Sequence, residues 1–252
     1  MHFTATIDTD IGRKDVNQDS VLLKHAQTGH GEVIFLVVGE GLGGVKMGEV
    51  ARSTVVRAFA DWFDKDLPKE LQRLDMGIIG HKMDLLLKEL NSRILQYGSD
   101  HQVTLGTTFT CLLLIGEELL IIHVGDSRVY HIRENIEQLT VDHTFVAREI
   151  ARGNMTVEQA KVDRRRNTLL QCVGASPNLQ PQIIHGKTKK GTYLLCSDGF
   201  RHEVTGKEMV EYFSPENLKD KQIMHNHART LMHLAKERRE RDNISVALVK
   251  VE

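Results

Sequence analysis

Apolar residues recur in two rhythms along this chain, and the rhythms separate strands from helices. Short runs rich in Val, Ile, Leu and Thr fall at Phe3–Ile7, Val21–His25, Val33–Val38, Thr108–Ile115, Leu119–Val124, Val129–Ile132, Tyr193–Cys196 and Ile244–Val251. Their length and β-branched content predict strands. Ile115-Gly116-Glu117-Glu118 reads as a tight turn, which makes 108–124 a hairpin. Apolar positions three and four apart predict helices. Met47–Asp64 carries Val50, Ala51, Val55, Ala58 and Phe59 at that spacing, and Leu71–Gln96 carries Leu74, Ile78, Leu85 and Ile94. Pro68 marks a fresh start between them, and Gly77 and Gly80 predict a break or bend in the second. A further helix, Asn217–Lys236, precedes the last strand, while 142–192 is irregular. Segregated runs of strands and helices predict an α+β fold, with sheets covered by helices and the final strand closing against early ones.

Composition sharpens this picture in three ways. The chain has 252 residues, 40% hydrophobic and 27% charged, enough for one large packed core. Lys and Arg total 33 against 34 Asp and Glu, a net charge of −1, which argues against a nucleic-acid partner. Cys111, Cys172 and Cys196 form no Cys-x-x-Cys pair, and the odd count argues against a disulfide framework and for a reducing compartment. The longest apolar run, Cys111–Ile115, is too short to cross a membrane, and Met1–Asp10 lacks a signal pattern. The expectation is a cytoplasmic protein without a membrane or nucleic-acid partner.

Candidate chemistry lies in where the acids fall. Asp19 follows Asn17-Gln18 just before a strand, Glu40 ends the run Ile34–Val38 and precedes Gly41, Asp198 follows a strand and precedes Gly199, and Asp242 opens the last strand. Any one of these would ordinarily cap a turn. Four acids at strand ends, gathered on one rim, repel one another and call for a compensating cation. Oxygen ligands without Cys or His select Mg²⁺ or Mn²⁺.

With those acids, seven blocks occur in order: Asn17-Gln18-Asp19; Gly39-Glu40-Gly41-Leu42-Gly43-Gly44 with Gly48-Glu49-Val50-Ala51; Gly106-Thr107-Thr108; Val124-Gly125-Asp126-Ser127-Arg128-Val129-Tyr130; Leu139-Thr140-Val141-Asp142-His143; Ser197-Asp198-Gly199; and Asp242-Asn243-Ile244. Together they resemble the metal-dependent serine/threonine phosphatases of type 2C, in a bacterial form. The resemblance implies a single catalytic domain over 1–252, built as a four-layer β-sandwich of two antiparallel sheets flanked by helices, with a flap around 143–190. It implies two Mn²⁺ or Mg²⁺ ions held by Asp19, Glu40, the Gly41 carbonyl, Asp198 and Asp242, and in bacterial members often a third on Asp142 with Asp198. A water activated between two cations then attacks a phosphoserine or phosphothreonine in line. Lys14 stands where the family places its phosphate-binding Arg, and Arg13 is adjacent, so either could bind phosphate. The implied partners are a phosphorylated protein substrate and an opposing serine/threonine kinase.

Two departures from the family bear on activity. Glu40 stands where the family has Asp, one methylene longer, which motivates the alternative of a catalytically weak or inactive binding relative. Leu42 and Val45 occupy places where many members carry His. Other signals have plainer readings. Gly39-x-Gly41-x-x-Gly44 fits a dinucleotide fingerprint in letters, but Glu40 would oppose a pyrophosphate. His225, His227 and His233 lack metal-ligand spacing, Arg164-Arg165-Arg166 reads as a solvated charge run, and Cys196 reads as core. Asp126 and Arg128 are expected to pair and fix loops.

Overall fold

The computed structural model describes residues 1–43 and 45–252, without the side chains of 45–47. Gly44 of the glycine loop and the Val45 side chain therefore lie outside the described residues.

Strand alternation sorts the core into three layers. One sheet has the order β1-β11-β10-β7-β8, from β1 (Phe3–Asp10), β11 (Ile244–Val251), β10 (Gly191–Cys196), β7 (Arg128–Ile132) and β8 (Ile136–Gln138). The second runs β2-β3-β5-β6-β9, from β2 (Asp19–Thr28), β3 (Gly31–Gly43), β5 (Phe109–Ile115), β6 (Glu118–Val124) and β9 (Gln182–Lys187), with β4 (Leu105–Thr107) on the end of β3. Neighbours in both sheets are antiparallel. Side chains on alternate faces fill different layers. Ile34, Leu36, Val38, Leu112, Leu114 and Ile121 meet Val129, Tyr193, Leu195, Ala247 and Val249 between the sheets. Val33, Phe35, Val37, Cys111, Leu113 and Ile122 face the helices α1 (Val45–Lys65) and α3 (Met76–His101). Leu194, Cys196, Val246 and Leu248 face α6 (Asp198–Arg201), α7 (Gly206–Phe213) and α8 (Lys221–Glu237) on the opposite side. The order is helix, sheet, sheet, helix, as expected of the α+β reading. No helix among the described residues is long and apolar enough to cross a membrane.

The strands and the final helix follow the pattern closely, but α3 does not. The helix starts at Met76, after Asp75 caps the Ile78 amide, rather than at Leu71. Leu71–Arg73 forms a separate 3-10 turn after the short α2 (Leu67–Glu70) that Pro68 opens. Counting from Leu74, outside the helix, gave the wrong phase: Ile78 and Leu85 are about half exposed, while Ile79, Met83, Leu87, Leu90 and Ile94 pack inward. Gly77 and Gly80 do not break α3. At Gly80 a Cβ would lie 2.7 Å from His185 Cε1, so glycine there lets the helix close on β9. The irregular stretch contains α4 (Phe145–Ala151), α5 (Val157–Val162) and β9. The first two are short and capped by Thr144 and Thr156, and β9 is an exposed edge, so none carries a strong apolar rhythm.

Candidate functional site

The antiparallel topology brings the acids to one rim. Asp19 begins β2 and Glu40 lies near the end of β3, and the two residues pair directly across the sheet. In the other sheet β10 ends at Cys196, opposite Val246 of β11, so Asp198 and Asp242 leave the same edge. Asp126 lies in the turn between β6 and β7. The Gln18 amide donates to Asn243 Oδ1 at 2.8 Å and locks the Asp19 and Asp242 segments together across the sheets. Glycines allow the tight approach: a Cβ on Gly41 would meet the Gly48 carbonyl at 2.8 Å, and one on Gly199 would collide with the Asn243 carbonyl.

Burial and mutual repulsion dominate the electrostatics. Burial pushes the Asp19 carboxyl up to about 7, with Asp198 and Asp242 adding to the rise and the Ser245 and Ser197 hydroxyls opposing it. Burial and then Asp198, Asp126 and Asp19 raise Glu40 well above the usual carboxylate range. Asp126 rises to about 6 through burial and Asp198, against the opposing charge of Arg201. Asp19 Oδ2 is buried with no hydrogen-bond partner. A buried orphan carboxylate oxygen among repelling acids, in an oxygen-only donor set, fits a hard divalent cation.

The acids of the rim each rest on a local partner. Ser127 Oγ donates to Glu40 Oε1. Lys14 Nζ is 3.2 Å from Asp242 Oδ1, and His202 Nε2 is 3.8 Å from Asp198 Oδ2. In this conformation no three His, Cys, Asp or Glu side chains among the described residues are drawn tightly enough together to enclose an ion. The strand ends bring the acids to one rim of the two sheets.

Two sequence expectations about pairing change. Asp126 and Arg128 do not pair. Arg128 grips both oxygens of Asp142 with one guanidinium edge, from Nε at 2.8 Å and Nη2 at 2.7 Å, while Arg201 Nη2 lies 3.4 Å from Asp126 Oδ2. Burial alone would raise Asp142, but Arg128 and Arg201 outweigh it and hold the carboxyl below its ordinary range. The donor set at Asp142, expected to share a third ion with Asp198, is thus already neutralised and does not fit a further cation as it stands. Asp126 belongs to the acidic cluster instead. Its signal was present in the sequence, an acid after a strand and a glycine, but the nearby Arg128 offered a simpler explanation.

Lys14 and Arg13 separate. Lys14 reaches the rim at Asp242, whereas Arg13 donates to the Lys236 carbonyl at 3.3 Å, at the end of α8. His202 went unnoticed in the sequence. It lies four residues after Asp198, on the same helical face, with Nδ1 3.4 Å from Glu240 Oε2. Glu240 Oε1 accepts the amides of Arg241 and Asp242 at 2.6 and 2.8 Å, so Glu240 fixes the approach to Asp242. Of the run Arg164-Arg165-Arg166, Arg165 pairs with Asp163 at 2.8 Å and lies over the Phe145 ring. Cys196 is buried, its thiol pushed up to about 12 by burial, as are those of Cys111 and Cys172.

Known proteins share this fold and much of this sequence pattern. The sequence profile of the family described as Protein phosphatase 2C matches residues 8–248. The chain is 29% identical over 248 residues to protein phosphatase PhpP of Streptococcus pneumoniae, covering 96% of this chain and 95% of PhpP. It is 30% identical over 215 residues to serine/threonine protein phosphatase PstP of Mycobacterium tuberculosis, covering 84% of this chain and 38% of PstP. Among solved structures, the S. agalactiae serine/threonine phosphatase superposes with a TM-score of 0.86 at 26% identity, covering 100% of both chains. The catalytic domain of PstP in complex with two manganese ions superposes with a TM-score of 0.77 at 26% identity, covering 98% of this chain and 97% of that one.

Proposed function

The chain belongs to the protein phosphatase 2C family, and from that premise we propose that it hydrolyses phosphoserine and phosphothreonine in proteins at the acidic rim, with two Mn²⁺ or Mg²⁺ ions. The observation that carries this reading is Asp19: a buried carboxylate with an unpartnered oxygen, set directly opposite Glu40 and beside Asp198 and Asp242. Two bound divalent ions supply a water acidic enough to attack at neutral pH and positive charge to offset the phosphoryl oxygens. Asp19, Glu40, the Gly41 carbonyl, Asp198 and Asp242 hold those ions.

The remaining work belongs to the protein. Lys14, swung from Asp242, offers its ammonium to a phosphoryl oxygen as a compact charge rather than a fork. Glu240 orients His202 toward Asp198 and so fixes that ligand. Glu40 keeps an oxygen donor opposite Asp19, so its extra methylene changes the reach of a ligand and does not remove one. The substrate is a phosphorylated protein, and a serine/threonine kinase in the same compartment, the cytoplasm, supplies it as part of a signalling pair.

The test is hydrolysis of p-nitrophenyl phosphate and a phosphothreonine peptide with Mn²⁺, with EDTA and in Asp198→Asn. Turnover that needs Mn²⁺ and disappears in the variant supports the reading. Turnover that persists in EDTA refutes it.

A further inference from the structure

The acidic rim has two halves that differ in what neutralises them. Around Asp19 and Glu40 the partners are hydroxyls and nothing: Glu40 accepts from Ser127, and Asp19 Oδ2 accepts from no group. Around Asp126 and Asp142 the partners are two guanidinium groups. Arg128 takes both oxygens of Asp142. Arg201 spans the pair, with Nη2 3.4 Å from Asp126 Oδ2 and 3.7 Å from Asp142 Oδ2. It also donates from Nη2 and Nε to the Asp126 carbonyl at 3.1 and 3.3 Å. The Arg201 side chain is only 12% exposed.

We infer that Arg201 is a built-in cation that holds, between Asp126 and Asp142, the place a third divalent ion would take, so that the centre loads with two ions and no more. This rests on the reading of the chain as a metal-dependent phosphatase. The argument is one of charge and space. Two Arg and two Asp side chains face one another there, whereas the carboxylates of Asp19 and Glu40 have no Lys or Arg partner among the described residues, and Arg52 reaches only the Asp19 backbone carbonyl. A divalent ion on Asp126 would have to sit within a few ångström of a buried guanidinium, where low dielectric strengthens the repulsion. Arg cannot escape by losing its proton. Nor is it free to swing away: it closes the short helix α6, whose preceding residue, Phe200, is fully buried, and four contacts hold its guanidinium. A fixed cation also needs no metal supply, so charge beside Asp198 persists when divalent ions are scarce.

The experiment counts ions. Purified protein is stripped with EDTA, then dialysed to equilibrium against increasing Mn²⁺, and bound Mn²⁺ per chain is measured by plasma mass spectrometry. Wild type saturates at two, and Arg201→Lys, which keeps the charge, also saturates at two. Arg201→Gln and Arg201→Ala, each checked for a native circular dichroism spectrum, saturate at three, and adding Asp126→Asn returns the count to two. Three ions in wild type, or two in both neutral variants, overturns the inference while leaving the two-ion phosphatase intact. A count below two in wild type overturns the phosphatase reading itself, and this inference with it.

Discussion

Replacing Asp19 with Asn separates stability from function at one atom. The substitution keeps the shape of the side chain and removes its charge. In the folded protein without metal, the Asp19 carboxyl titrates at about 7, against 3.8 as the ordinary value. The folded state therefore holds a proton there, between those values, that the unfolded chain has released. Stability falls wherever the folded state binds more protons, so this group costs nothing near pH 4 and its cost grows until about pH 7. The interval from 3.8 to about 7, at about 1.4 kcal/mol per pH unit, amounts to about 4 kcal/mol. In EDTA, Asp19→Asn should match wild type in urea denaturation near pH 4 and exceed it by up to about 4 kcal/mol at pH 8. Mn²⁺ at a hundred times its dissociation constant should add about 2.7 kcal/mol to wild type and much less to the variant. Turnover should fall to background. A wild-type minus variant difference that stays constant from pH 4 to pH 8, or a variant less stable than wild type at pH 8 in EDTA, refutes the reasoning.

Three further outcomes are expected. Lys14→Ala should raise KM for a phosphopeptide about tenfold, roughly the worth of one charged hydrogen bond, while Arg13→Ala, whose guanidinium rests on the Lys236 carbonyl, should leave steady-state kinetics unchanged. Glu40→Asp shortens the buried carboxylate and withdraws it from Ser127, so the affinity for Mn²⁺, read by calorimetry, should change, and an unchanged affinity would show that Glu40 is not a ligand. Gly98→Ala should lower stability by about 1–3 kcal/mol in thermal or urea unfolding, because its Cβ would meet the Val103 backbone carbonyl at 2.7 Å, with no change in turnover.

How much of this was legible in the sequence depends on whether the cause was local. Strand alternation is local, and the residues of 33–38 and 244–251 divide between two packing layers as their pattern requires. Acids at strand ends are local too, and antiparallel pairing then forces Asp19 opposite Glu40. Ion-pair choice is not local. Asp126 had Arg128 two residues away, yet the strand geometry delivers Arg128 to Asp142 and Arg201, 75 residues on, to Asp126. The phase of α3 is hidden because Leu74, between the 3-10 turn and the helix, carries the apolar spacing out of register with the buried face. Strand β9, lying at the edge with a largely exposed pattern, carried too weak a signal to stand out.

The three buried thiols have a bearing on where such an enzyme can work. Thiolate is the form that peroxide and alkylating reagents attack, and at neutral pH a group held at about 12 offers almost none of it. Nor does the chemistry proposed here use sulfur. A phosphatase of this construction therefore presents peroxide with no ready thiolate, unlike enzymes whose chemistry depends on a reactive cysteine.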